Sequence, residues 1–88
     1  VVAYDIPDDK RRTKLHAELK NFGRPVQYSV FECILNRKEF EKMRKAVLRI
    51  IDKRKDKVRY YPLDNEAVKK ILTDGRGKVT ADPDVIVV

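Results

Sequence analysis

Tryptophan is absent from this 88-residue chain, histidine and cysteine occur once each, and there are only three glycines and four prolines. Each scarcity excludes something. A solitary Cys33 cannot close an internal disulfide, so a disulfide-stapled scaffold is ruled out. In the setting Phe31-Glu32-Cys33-Ile34-Leu35 its thiol reads as strand packing. One histidine and one cysteine make no zinc cluster, and no Gly-x-Ser-x-Gly elbow is present. His16, one residue after Leu15, reads as a solvated or partly packed side chain rather than a base or ligand. No apolar run exceeds four residues (Val85 to Val88 is one), far below the roughly 20 that a bilayer needs. Val1-Val2 opens the chain without a basic region ahead of an apolar stretch, so a cytoplasmic protein is expected. The length accommodates a single domain over 1–88, with 1–72 as its core and 73–88 as a C-terminal hairpin or swapped strand.

Charge is what the chain has in excess. Lys and Arg number 21 against 14 Asp and Glu, a net charge of +7 that suggests a polyanionic partner. Between Arg37 and Arg59 lie 11 basic and 4 acidic residues, so this segment carries the whole excess and the remainder balances. Within it Lys38, Lys42, Lys45, Arg49 and Lys53 recur at steps of four, three, four and four, which on a helix is one continuous stripe. Such a stripe is either a solvated helix face or a track for a phosphate backbone, and the second reading is favoured.

Apolar periodicity supplies the frame. Val1 to Ile6 is a β-branched and aromatic run closed by Pro7, the pattern of a central strand. Asp8 can cap a helix with Asp9 in its first turn and Leu15, Leu19 and Phe22 on its buried face, stopped by Gly23 and kept from resuming by Pro25. Val26 to Leu35 is extended by composition and is either one long strand or a bent hairpin around Tyr28-Ser29. Asn36 and Glu39 form a capping-box pattern ahead of a second helix that buries Phe40, Met43, Val47, Ile50 and Ile51 and carries the basic stripe opposite. Lys57 to Leu63 is a strand ended by Pro62, and Asp64 to Leu72 is a short third helix capped by Asp64. Asp74 to Gly77 has turn chemistry; its Gly-Arg-Gly-Lys lacks phosphate-loop spacing and no helix follows. Val79 and Val85 to Val88 are short strands. The whole is an α+β sandwich, one sheet with both helices on one face, whose apolar tail invites a second copy.

Asp5 stands out within this frame. A carboxylate in an otherwise apolar strand needs a cation, a set of hydrogen bonds or an exit to water. Arg11 and Arg12 lie one turn before Leu15, so α-helical geometry directs them toward that strand end. Two roles remain open for Asp5, a salt bridge with Arg11 or Arg12 and a magnesium ligand. One carboxylate is a poor metal site, but a twofold axis near it would supply two.

Val1-Val2-Ala3-Tyr4-Asp5-Ile6 with Asp8 to Arg12, then Gly23, Gln27-Tyr28-Ser29-Val30-Phe31-Glu32, and Arg59-Tyr60-Tyr61-Pro62-Leu63, together resemble the small CRISPR-associated protein of spacer acquisition, the Cas-two family. The resemblance covers almost the entire chain. It implies a ferredoxin-like βαββαβ fold, hence the hairpin for Val26 to Leu35, and a C-terminal strand added to the partner's sheet in a homodimer. It also implies a bridge between two integrase dimers during spacer capture and, in some members, Mg²⁺-dependent cleavage of single-stranded RNA or double-stranded DNA. The metal would then sit on Asp5 across the dimer axis, with Tyr4, Arg11, Arg12 and Phe31 completing the candidate catalytic set. Two alternatives stand beside this: a non-catalytic DNA-binding scaffold, and a toxin-type ribonuclease of the virulence-associated protein D kind, against which the Tyr-Pro-Leu block and the C-terminal strand argue.

Overall fold

A computed structural model of the chain describes residues 1–63 and 85–88. Its elements run β1 (Val2–Asp5), α1 (Asp9–Leu19), β2 (Gly23–Gln27), β3 (Val30–Asn36), α2 (Arg37–Ile50), β4 (Lys57–Tyr60) and β5 (Val85–Val87). The sheet is antiparallel in the order β2-β3-β1-β4, and β5 pairs with β3. This is the ferredoxin-like arrangement, in which each β-α-β unit places another strand between its own two. The third helix expected over Asp64 to Leu72, the turn at Asp74 to Gly77 and the strand at Val79 lie outside the described residues. No helix among the described residues is long and apolar enough to cross a membrane.

Local sequence accounts for the elements. Asp8 caps α1 by accepting a hydrogen bond from the Arg11 amide at 2.9 Å, which satisfies one of the first-turn donors a helix leaves open. The capping box of α2 is complete: Asn36 Oδ1 accepts from the Glu39 amide at 2.8 Å, and Glu39 Oε1 from the Asn36 amide at 3.2 Å. Val26 to Leu35 resolves into a hairpin whose turn places Ser29 at φ 59°. Between the sheet and the helices lies the core, in which Val2, Leu15, Leu19, Phe31, Met43 and Val47 are buried. Each such side chain contributes about 1.5 to 3 kcal/mol on leaving water.

Two expectations need correction. Gly23 is not the stop of α1: the helix ends at Leu19, and Gly23 opens β2 with Phe22 packed on the core beyond the helix. A Cβ at Gly23 would collide with the Glu32 carbonyl oxygen and the Cys33 sulfur, so the glycine is required by close strand approach rather than by a turn. Lys53 lies past the end of α2, because the chain becomes extended at Ile51.

The tail expected on a partner's sheet also finds an edge within its own chain. In this single chain β5 lies on its own β3, with Ile34 opposite Val87 and Leu35 opposite Ile86. The reason is length. β3 has seven residues and β1 pairs only with Val30 and Phe31, so the donors and acceptors from Cys33 onward are open to another strand. The Val88 amide donates to Cys33 at 2.9 Å, and the Leu63 amide donates to Val87 at 2.9 Å.

Candidate nuclease centre and nucleic-acid interface

Asp5 is the last residue of β1, and strand alternation places it on the sheet face away from Tyr4. Tyr4 is buried under the helices, whereas Asp5 is exposed opposite Lys57 in the β1–β4 ladder. A hollow of about 310 Å³ surrounds it, lined by Ala3, Tyr4, Lys57, Arg59 and Tyr61. No hydrogen bond or ion pair engages its carboxylate among the described residues. Its oxygens are therefore open acceptors. One chain alone does not make a magnesium site there: no cluster of three or more His, Cys, Asp or Glu exists among the described residues, and the neighbouring Lys57 and Arg59 repel a dication. A second Asp5 would be needed.

The two arginines expected at Asp5 go elsewhere. Arg11 forms a fork with Asp56, donating from Nε at 2.8 Å and from a terminal nitrogen at 3.1 Å. Arg12 donates to the Ile6 carbonyl at 3.0 Å and pairs with Asp9. Both face the turn between α2 and β4 or their own helix start, so the salt-bridge reading of Asp5 fails. Asp56 is the residue that sequence reasoning missed. Its side chain is wholly buried and also accepts the Asp52 amide at 2.8 Å. The Arg11 hydrogen bonds hold its carboxyl below the usual carboxylate range, outweighing the opposite push of burial. The available signal was two aspartates four residues apart between Ile51 and Val58; inside a run of lysines they read only as diluted charge.

Tyr4 and Phe31 belong to a different neighbourhood from Asp5. Phe31 is fully buried and meets the His16 ring edge-on at a 5.0 Å centroid distance, which makes it a packing residue that no substrate reaches. The Tyr4 hydroxyl shares a 3.1 Å hydrogen bond with His16 Nδ1. Burial raises the Tyr4 phenol above its ordinary range, with Ser29 and Arg12 pulling the other way. His16 is thus partly packed, as its sequence setting suggests. Cys33 is buried too, and burial pushes its thiol up and away from reactivity. The five candidate catalytic residues do not form one cluster.

On α2 the basic stripe is real over Lys38, Lys42, Lys45 and Arg49, all exposed and opposite the buried Met43 and Val47. None of the four enters an ion pair among the described residues. Arg44 sits off the stripe, its guanidinium 5.8 Å from the Tyr60 ring centroid. A helix face with four unneutralised cations at successive turns matches the repeated charge of a nucleic-acid backbone.

The chain resembles known proteins along nearly all of its length. The family model described as CRISPR associated protein Cas2 matches residues 1–71. The CRISPR-associated endoribonuclease Cas2 3 of Synechocystis is 39% identical, covering 100% of this chain and 96% of the relative. A CRISPR-associated endonuclease Cas2 2 of Thermus thermophilus is 50% identical over 62 residues, 70% of this chain and 69% of the relative. Among solved structures, Cas2 of Streptococcus pyogenes superposes with a TM-score of 0.71 at 30% identity, covering 78% of this chain and 89% of that one. A hypothetical protein of Thermus thermophilus also gives a TM-score of 0.71 at 48% identity, covering 73% and 78%. This chain therefore belongs to the CRISPR-associated Cas2 family.

Proposed function

We propose that the chain works as a dimer that binds nucleic acid along α2 and cleaves phosphodiester bonds at paired Asp5 residues, as a component of CRISPR spacer acquisition that bridges integrase subunits. The observation that carries the cleavage reading is the state of Asp5. Nearby Asp8 caps a helix, and Asp9 and Asp56 are paired with arginines; Asp5 alone of these is exposed and unengaged among the described residues. A carboxylate without a structural partner at a strand end is available for chemistry. Two copies related by a twofold axis would bring two such carboxylates to one Mg²⁺, with Lys57 and Arg59 at the rim for the phosphate. The metal would supply an activated water and charge neutralisation at the phosphate. The names of the relatives, endoribonuclease and endonuclease, agree with this reading.

The non-catalytic scaffold is the second reading, favoured by the single carboxylate per chain and the uninterrupted cationic face of α2. Family membership speaks against the toxin-type ribonuclease. The deciding experiment incubates purified protein with single-stranded RNA and with double-stranded DNA, with Mg²⁺ and with chelator. Cleavage that needs the metal and disappears in Asp5→Asn supports the nuclease at Asp5; cleavage undiminished in that variant overturns the Asp5 centre, and no cleavage by the wild type leaves the scaffold.

A further inference from the structure

A second hollow, of about 320 Å³, lies near the same end of β1 but beside α1 and the hairpin turn, and is lined by Tyr4, Arg12, Thr13, His16, Tyr28 and Ser29. Its volume is at the lower bound of ligand pockets, which run from about 300 to 1,000 Å³, so it suits one small group rather than a length of polymer. Its chemistry is uneven in an informative way. Tyr28 is 84% exposed, the largest exposure of any big apolar side chain described, and it stands at a turn beside Ser29 at φ 59°, where a short polar residue would serve the backbone better. Folding gives no reason for a ring there. On the inner wall the Tyr4 hydroxyl and His16 Nδ1 bond to each other, leaving His16 Nε2 without a bond among the described residues. The hydroxyls of Thr13 and Ser29 add donors and acceptors. At the rim Arg12 spends donors on Ile6 and Asp9, and a guanidinium has five.

We propose that this hollow is a subsite for one unstacked nucleobase of a single-stranded nucleic acid, with the Tyr28 ring as the stacking platform, Tyr4, Thr13, His16 and Ser29 against the base edge, and Arg12 toward the adjoining phosphate. Arg12 already holds Asp9, so a bare phosphate would find weak charge here; the exposed ring favours a base. The proposal rests on the nucleic-acid-binding reading above but is separable from it, because the α2 face grips phosphates whatever base they carry, whereas this hollow needs the base.

The test measures binding at fixed salt to three ligands of equal length: a single-stranded oligonucleotide, the same strand with every base removed, and a duplex. Wild-type protein is expected to prefer the base-bearing single strand. Tyr28→Ala should weaken that ligand by an amount on the order of 5- to 100-fold, far more than it weakens the other two, and Tyr28→Trp should restore the affinity that alanine loses. Because Tyr28 is so exposed, these variants fold, and a melting curve checks it. Equal affinity of Tyr28→Ala and wild type for the single strand overturns the subsite. If that occurs while charge reversal on α2 still abolishes binding, the interface stands and the subsite alone has failed; if wild type binds none of the three, both fail. Saturable, Tyr28-dependent binding of adenosine or uridine monophosphate, with no Tyr28 effect on the oligonucleotide, would overturn the strand subsite in favour of a free nucleotide.

Discussion

At the start of α1 and on the outer face of α2 the same residue types are put to opposite use. Around α1, Asp8 and Asp9 bond to their own first turn, and Arg11 reaches 45 residues along the chain to the buried Asp56. Every one of these charges has a partner, and the Arg11–Asp56 fork ties the helix to the turn that launches β4. On α2, Lys38, Lys42, Lys45 and Arg49 face water and form no ion pair in the described structure, although Glu39 and Glu41 lie on the same helix. Like charges one turn apart on a helix repel by a few tenths of a kcal/mol per pair, a small cost that folding does not require and that a polyanion would turn into attraction. The paired charges hold the fold, and the unpaired ones are those that the proposed function would use.

The comparison can be broken at its strongest point by charge reversal on α2. Replacing Lys42, Lys45 and Arg49 by Glu should lower affinity for nucleic acid by about 10²- to 10³-fold at low salt and make the salt dependence shallower by roughly 2 to 3 in log-log slope. The melting temperature should barely move. Unchanged binding in filter or anisotropy assays would make the face a merely solvated one.

The opposite region gives the next largest effect. Asp56→Ala strands Arg11 and removes the acceptor of the Asp52 amide, and should cost about 3 kcal/mol, a fall of roughly 10 to 20 °C in melting temperature for a domain this small. Binding per folded molecule should persist. The same residue sets a pH dependence. Its folded carboxyl titrates below the unfolded one, whose ordinary value is 3.8, so the stabilisation is complete above that value and is lost as pH falls beneath it. Thermal melts of wild type should therefore decline on acidification below about pH 4, and those of Asp56→Asn should decline less.

Smaller effects sharpen the account of the frame. Gly23→Ala sets a methyl against the Glu32 carbonyl and the Cys33 sulfur and should destabilise by about 1 to 3 kcal/mol in denaturant titration, a cost that a helix-stop glycine without positive φ would not show. Asp8→Ala removes the α1 cap and should cost about 1 kcal/mol.

What the sequence disclosed was whatever is local. The Asn36–Glu39 capping box, the buried side of α2 and the Asp8 cap all depend on residues within one or two turns, and all are as their spacing suggests. The stripe was legible for the same reason, up to Ile51, where the helix stops and Lys53 leaves it. Long-range partners were not legible. Nothing in the spacing of Arg11 announces Asp56, and of the four residues grouped with Asp5, Tyr4 falls on the other face of the sheet because consecutive strand residues alternate, while Arg11 and Arg12 are drawn to partners of their own. Val85 to Val88 read as a strand without a stated neighbour, since a strand edge is completed equally well by the chain's own tail or by another copy's.

The most direct measurement sets Asp5→Asn beside Asp56→Asn, each assayed for Mg²⁺-dependent cleavage and for thermal melting. Asp5→Asn is expected to lose cleavage while melting within a few degrees of wild type, and Asp56→Asn to melt markedly lower while the folded fraction still cleaves. An Asp5→Asn protein that melts far below wild type, or that cleaves as well as it, would contradict the division between charges that hold the fold and charges kept for function.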